Sequence, residues 1–464
     1  MWKMKTMKTK LFSLVLVTAA HLHLFAANEA KEDYVAHEWG TFTSVQGADG
    51  VLMEWNPLTT AELPSFVYDY KKPSGDPLRQ LAALGGKGAF RTLQRMETPV
   101  IYFYSDTERS VDVTVKFPQG RITEWYPQAR DIGPSTVQPR PLLTTIDNTA
   151  SQIGLPGINL SSIDTKKGIS ESLIRWTDVK IFPAREHHEM QDLVPRDASG
   201  SHYYAARETD ADFLRVSARV NDSDKPEHEK LLFYRGVGSF ATPLQVTLGA
   251  EGEQQLFLRN TGAELLSHLF VLHVRNGTGQ FVYVDRLAAG TNRVIKVDPG
   301  RSTVPASDLV DQIAAQMRLA LVKEGLYERE ASAMVNTWRD SWFEEQGLRV
   351  LYVLPRAWTD RVLPLTLDPQ PREVVRVMVG RAEVITPAME WDLLKQIVRY
   401  SEADTATRGQ VVQETRKLGL GRFAEPTTRR LMSKLSSVEF NRFSSQLLEA
   451  ASKSEKPAKT LAQK

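Results

Sequence analysis

The chain has 464 residues, 58 Lys and Arg against 56 Asp and Glu, and no cysteine. The near-neutral balance excludes the basic footprint of a nucleic-acid binder. The lack of cysteine excludes a thiol nucleophile, a Cys-ligated metal or iron–sulfur site, a disulfide and a lipid-modified N-terminal cysteine, so a core alone must hold the fold.

At roughly 100–200 residues per domain, the length suits two to four domains. Lys3, Lys5, Lys8 and Lys10 precede the apolar run Leu11 to Phe25, and Ala26-Ala27 offers a cleavage point. Residues 1–27 are therefore expected to be an export signal, without the twin arginine of the folded-protein route. The run is too short, and too interrupted by His21 and His23, to span a bilayer, and no later stretch reads as a span. The mature protein is expected in the periplasm or outside the cell.

The mature chain opens on Tyr34 to Gly50, YVAHEWGTFTSVQGADG. Alternation puts His37, Trp39, Thr41 and Thr43 on one strand face and Glu38, Phe42 and Ser44 on the other. Gly40 inside the strand predicts a bulge or a close backbone approach. The turn residues 46–50 and the run Val51 to Trp55 predict a hairpin. His37 and Glu38 are candidate catalytic groups; the plainer alternative is a satisfied histidine, a solvated glutamate and a core Trp39. A zinc-protease helix motif is excluded, because position 41 is Thr rather than His.

Residues 57–88 are turn-rich, with a short helix expected near Pro77 to Leu84. The Gly85-Gly86-Lys87-Gly88 run lacks the context of a phosphate loop. Next come the strand around Glu97 to Tyr104 and a hairpin of Val111 to Phe117 with Arg121 to Tyr126, turned by Pro118-Gln119-Gly120. Glu97 and Glu124, at strand ends, are candidate carboxylates for acid–base work if folding brings them within roughly 5–10 Å. Residues 130–167 read as a long loop, and Arg175 to Phe182 as a strand.

Arg185 to Met190 and Ser201 to Asp210 combine His187, His188, His202, Tyr203, Tyr204 and Arg207 with carboxylates. Imidazole with carboxylate suits zinc, copper, nickel or iron, so a divalent metal on His37, His188 and His202 is a candidate cofactor. The alternative is a polar loop whose groups bond one another. His37, Glu38 and His202 are expected to lie together, with Arg207 or Glu124 at the periphery.

Five short strands follow from Pro243 to about residue 297, with turn signals between them, the pattern of a β-sandwich. From residue 301 the pattern turns to α+β. Helices are expected at about 307–324 and 328–346, with Met334, Trp338 and Trp342 as a core stripe. Strands are expected at Leu348 to Leu354 and Val374 to Val379. Arg356 and Arg381, with Arg235 upstream, sit at strand ends and suit a binding rim. Helices then fill about 390–402, 405–418 and 425–450, and residues 451–464 read as a disordered basic tail.

The segments HEWGTFT, ETPVIYFY, RITEWYP, SHYYAARETDA, LLFYRG, LRVLYVLPRAWTDR and MVGRAEVITP resemble a group of secreted proteins of environmental bacteria, across most of the mature chain. The resemblance implies one shared architecture and signal-directed export, and carries over no catalytic role.

The expected fold is thus mainly β and sandwich-like, with an immunoglobulin-like arrangement as the architectural guess. Its units are a β-rich N-terminal domain at 31–235, a β-sandwich unit at 236–300, an α+β segment at 301–386 and a helical domain at 387–450. The favoured function is a secreted or periplasmic envelope-associated binding protein for a glycan or other envelope component, with Trp39, Tyr204, Arg207, Arg235, Arg356 and Arg381 as binding candidates. The alternative is a secreted hydrolase using His37, Glu38, Glu97, Glu124 or His202, with or without a metal.

Overall fold

The structure, a computed structural model, describes residues 32–56, 63–69, 91–133, 172–217, 225–249, 252–275, 277–296 and 304–452. The expected export signal, the Pro77 to Leu84 helix, the GGKG run, nearly all of the long loop after residue 130 and the end of the basic tail lie outside the described residues.

The strands in chain order are β1 (Glu32–Gly47), β2 (Tyr68–Asp69), β3 (Gln94–Ser105), β4 (Arg109–Phe117), β5 (Gly120–Tyr126), β6 (Asp131–Gly133) and β7 (Ser172–Phe182). They continue with β8 (Phe213–Val216), β9 (Glu227–Glu229), β10 (Leu232–Gly238), β11 (Leu244–Gly249), β12 (Gly252–Asn260), β13 (Leu266–Arg275), β14 (Thr278–Leu287) and β15 (Asn292–Lys296). The last are β16 (Val304–Pro305), β17 (Gly347–Leu354), β18 (Leu365–Asp368) and β19 (Pro371–Ile385). The helices are α1 (Ala306–Lys323), α2 (Glu328–Arg339), α3 (Arg356–Val362), α4 (Pro387–Glu402), α5 (Thr405–Lys417), α6 (Ala424–Leu435) and α7 (Val438–Ser452).

A ten-stranded sheet, ordered β16-β14-β13-β17-β19-β1-β3-β10-β5-β2, runs through the body. On one face, a shared core joins it to a six-stranded sheet containing β4 and β7 and to the three-stranded sheet β11-β12-β15. On the other face, Trp39, Tyr102, Phe233 and Val379 pack against α1 and α2 through Ile313, Met317 and Met334, and against Trp342 just past the end of α2. The central sheet is therefore covered on both sides, and its middle strands carry almost no exposed residue.

β1 is the middle of this arrangement. It pairs in parallel with β19 and antiparallel with β3. The alternation read from sequence holds: Ala36 and Phe42 enter the core toward the smaller sheets, and Trp39 enters the core under the helices. The bulge at Gly40 holds as well. The β1–β3 register shifts between Trp39 and Thr41, and a Cβ on Gly40 would sit 2.9 Å from Pro99 Cα.

Of two expected hairpins, the first is short and the second is corrected. After β1 the chain turns at Gly47–Gly50 and pairs back only through Gly47–Val51 and Val45–Met53 with the Gln46–Leu52 bridge, and the main partners of β1 are distant in sequence. β4 and β5 do not pair with each other: β4 joins β7 and β18, while β5 joins β10 in the central sheet. The turn between them carries the chain from one layer to the next. Gly120 allows this, since a Cβ there would lie 2.2 Å from the Phe117 ring. The central sheet crosses the expected boundaries: β10 runs through 235/236, and β13 pairs with β17 across 300/301.

The C-terminal helical region forms as expected. Thr386 and Asp404 cap α4 and α5, accepting from Met389 N at 3.2 Å and Thr407 N at 2.8 Å. One long final helix was expected; Ser436, at φ 48°, instead ends α6 and starts the turn into α7. These helices share a core of Leu393, Ile397, Val411, Leu431 and Leu447. They dock on the body through Val45, Met53, Trp55, Ile385 and Phe423.

Candidate functional site

Two register shifts converge on the segment Glu97–Pro99, and a third lies on the next strand pair. They lie in β1–β3 between Trp39 and Thr41, in β3–β10 between Phe233 and Gly236, and in β10–β5 between Arg235 and Gly236. Bulges re-aim side chains, and here they open a break in the helix-facing side of the sheet. Thr98 in the middle has φ 48°, a conformation a β-branched residue rarely holds and one that recurs at functional sites.

Above the break is a cavity of about 350 Å³. Arg95, Glu97, Thr98 and Arg235 come from the sheet. Tyr203 and His202 come from a 3-10 turn at His202–Arg207, and Trp338, Asp340 and Glu345 come from the end of α2 and the π-helical turn Asp340–Glu344. Arg422 comes from the turn Gly421–Phe423 between α5 and α6. π-turns are frequent at functional sites because the extra residue redirects the side chains around it.

Glu97 is 3 % exposed. It accepts from Arg422 Nη1 at 2.8 Å, with Arg95 Nε at 3.8 Å. Burial raises its pKa, but the guanidinium charges of Arg422, Arg95, Arg235 and Arg381 outweigh that and hold it down at about 2. Burial lowers the pKa values of Arg95, Arg235 and Arg422. Arg235 donates from Nη2 to Thr98 Oγ1 at 3.2 Å.

The lining has more donors than the protein satisfies. Arg95 Nε, Arg235 Nε and Nη1, Arg422 Nε and Nη2, and Trp338 Nε1 are buried from water and make no hydrogen bond. Every such atom among the described lining residues is a donor. A buried unsatisfied donor costs about 1–3 kcal/mol, so holding these guanidinium groups here works against stability.

Of the sequence candidates, Glu97, Arg235 and His202 line this cavity. Arg381 stands beside it, donating to Glu345 at 2.6 Å and to Glu383 at 2.9 Å. Glu124 faces Arg235 across the β5–β10 ladder.

His37 and Glu38 lie elsewhere, on opposite faces of β1. His37 Nδ1 bonds Glu330 Oε2 at 2.7 Å, and Tyr104 donates to Glu330 Oε1 at 2.7 Å. Glu38 accepts from Arg376 Nε at 2.5 Å and from the Tyr234 hydroxyl, and Arg376 also reaches Asp360 at 2.7 Å. The expected grouping of His37, Glu38 and His202 is not found. His37 bonds the first turn of α2, and His202 sits 3.9 Å from Asp340, just past its end. At 1.5 Å rise per residue those points are about 15 Å apart.

Trp39 is core. Tyr204 donates to Asp197 at 2.7 Å, Arg207 is locked on Glu229, and Arg356 is bound to Asp360 on the surface. His188 is exposed in its own 3-10 turn, so His37, His188 and His202 do not form the expected metal set. Among the described residues no three His, Asp or Glu side chains gather to hold a metal.

Sequence reasoning missed Arg95, Thr98, Trp338, Glu345 and Arg422. Thr98-Pro99 carried a weak signal, since a residue before proline is conformationally restricted. Arg422 carried none: it is one basic residue in a basic region, brought in by the docking of the helices.

No family model matches the chain, and no curated protein matches it. Among solved structures it is similar to the Fcho1 mu homology domain of Danio rerio with a bound Eps15 peptide, at TM-score 0.29 and 8 % identity, over 77 % of this chain and 98 % of that one. It is also similar to the yeast delta-COP-I mu-homology domain, at TM-score 0.25 and 8 % identity, over 77 % and 99 %. The same domain in complex with a Dsl1 WxWxV peptide gives 0.26 and 7 %. Scores of this size do not define a shared fold.

Proposed function

We propose that the protein is an exported, envelope-associated binding protein whose cavity takes an acidic group of a glycan or other envelope component, held on a sandwich-like scaffold of facing sheets. The observation that carries this reading is the gathering of three arginines, Arg95, Arg235 and Arg422, with Trp338 in the lining of one cavity. Guanidinium is the side chain best matched to carboxylate, phosphate and sulfate oxygens. Trp338, Tyr203 and Phe233 add aromatic wall area, which suits a sugar ring or acyl stem beside the acid. The volume is at the lower end of ligand-pocket sizes.

The hydrolase alternative is less well supported. A carboxylate held near pKa 2 by guanidinium groups is neither a proton donor nor an effective base at neutral pH. His202, the other candidate at the cavity, has a side chain 61 % exposed at the rim.

The test is calorimetric titration of the mature protein, purified after export, with D-glucuronate, glycerol 3-phosphate and uncharged D-glucose. At least one acidic probe should bind and glucose should not, and Arg235→Ala should weaken the acidic probe tenfold or more. Indifference to every acidic probe would overturn the reading. N-terminal sequencing of the same preparation checks the export step, with a mature start near residue 28 expected.

A further inference from the structure

A second cluster, apart from the cavity, lies where β13 and β14 meet the end of α1. His268 sits in β13 at φ 51°, at the place where the β13–β17 register shifts between Ser267 and Phe270. A non-glycine residue in that conformation is strained and persists only where its surroundings hold it. The imidazole is buried, with 5 % of the side chain exposed. Both ring nitrogens are engaged. Nε2 faces Glu324 Oε1 at 3.3 Å, and Nδ1 lies 2.6 Å from the Tyr283 hydroxyl. None of the three residues lines the cavity described above.

The partners settle the tautomer. An ionised carboxylate only accepts, so Nε2 carries the imidazole hydrogen on the Glu324 side. That leaves the Nδ1 lone pair to accept from the Tyr283 hydroxyl, whose other contact, Asp285 Oδ1, stands farther off at 3.3 Å. Burial, then the negative charges of Asp285 and Glu324, raise the Tyr283 pKa. The group is therefore a phenol at neutral pH and needs a base to become a nucleophile. Tyr283 is half-buried and Asp285 is exposed, so the hydroxyl is within reach of solvent. A hydroxyl, an imidazole and an orienting carboxylate in this order activate nucleophiles on unrelated folds.

We propose that Tyr283 is a base-activated nucleophile that accepts an acyl group from a small activated ester. His268 Nδ1 takes the phenolic proton as Tyr283 Oη attacks the ester carbonyl carbon. The bond from that carbon to the leaving oxygen breaks, the leaving group keeps the bonding pair, and the imidazolium returns the proton to it. Glu324 is a positioning residue that holds the ring with Nδ1 toward the hydroxyl. Arg286 Nε and Lys323 Nζ lie 3.4 and 3.9 Å from Asp285, so two exposed cations stand near the hydroxyl as sources of oxyanion stabilisation. The proposal is independent of the anionic-ligand reading of the cavity.

The experiment treats the full mature chain with p-nitrophenyl acetate at neutral pH, follows p-nitrophenolate release, and maps acetylation by mass spectrometry of proteolytic peptides. Tyr327, 46 % exposed, is the internal reference. Tyr283 should be acetylated at least tenfold faster than Tyr327, and Tyr283→Phe should lose the fast phase of p-nitrophenolate release. Asparagine tolerates the left-handed backbone and cannot act as a base. His268→Asn should therefore slow labelling of Tyr283 at least tenfold and leave Tyr327 unchanged. If His268→Asn fails to fold, Glu324→Gln makes the comparison through the orienting group: labelling of Tyr283 should slow while the melting temperature and the Tyr327 rate hold.

Labelling of Tyr283 no faster than Tyr327 would overturn the proposal. Equal labelling of Tyr283 in the wild type and in folded His268→Asn would remove the imidazole as the base and reduce the cluster to a structural hydrogen-bond network. A fast phase that survives in Tyr283→Phe would put the acetyl group on another residue and overturn the assignment as well.

Discussion

Glu97 shows how one carboxylate organises a cationic pocket. It is buried, yet the guanidinium groups around it keep it ionised far below the ordinary carboxylate value of 4.5. A depressed folded-state pKa stabilises above the unfolded value and loses that contribution as pH falls through the folded one. The window here runs from pH 4.5 down to about 2. Shifts of this size correspond to about 3 kcal/mol. Glu97→Gln should cost about 3–5 kcal/mol near neutral pH, because Arg422 and Arg95 lose their counter-charge. The variant should also show a shallower loss of stability between pH 4.5 and 2, read from urea midpoints across that range. A wild-type and variant slope that match would detach the acid response from Glu97. His37 is a different case. Its bond to Glu330, itself held by Tyr104 and by Tyr327 N at 2.8 Å, is a closed buried network, which accounts for the histidine without a ligand.

At the scale of elements, β1 is the strand on which the layers meet. Its two faces serve different cores, and Gly40 lets it approach Pro99 at the point where the site opens. Gly40→Val should therefore do two things. The added side chain meets backbone rather than a movable side-chain tip, so overpacking should cost about 1–3 kcal/mol in urea unfolding. It should also displace Glu97–Pro99 and weaken binding of the acidic probe. Full stability with normal binding would mean that the close approach at Gly40 is not what sets the site. The β4–β5 turn shows why local pattern misleads. Alternating strands and a Pro-Gln-Gly turn are the signature of a hairpin, but both strands found better partners, β4 in the smaller sheet and β5 beside β10.

At the scale of the molecule, the body and the C-terminal helices have separate cores joined by a small seam. Trp55 and Phe423 face each other there at 5.8 Å, with the Arg422 guanidinium 5.1 Å from the Phe423 ring. Arg430 adds links to Asp49 at 2.8 Å and Glu390 at 2.7 Å. Phe423→Ala should cost about 3–5 kcal/mol at this seam. It should split thermal unfolding into two calorimetric transitions, with faster hydrogen exchange confined to 405–452. A single transition shifted as a whole would show that the helices have no stability of their own. Among the described residues no helix is long and apolar enough to cross a membrane.

The local elements were legible in the residues alone. Period-two runs gave the strands, the 3.6-residue spacing of Met334, Trp338 and Trp342 gave a buried helix face, and Gly40 announced its bulge; each depends on neighbours within a few residues. The sequence also singled out Glu97, Arg235, Arg381 and His202, because these residue types stood out against strand ends and loops. Strand pairing emerged only on folding, since β1–β19 and β13–β17 join residues that no local rule connects. Folding alone decided that His37 and Glu38 face apart. It alone brought Arg422 some 325 positions along the chain to Glu97. Which groups a guanidinium meets depends on burial, and burial is a property of the packed layers rather than of any stretch of sequence.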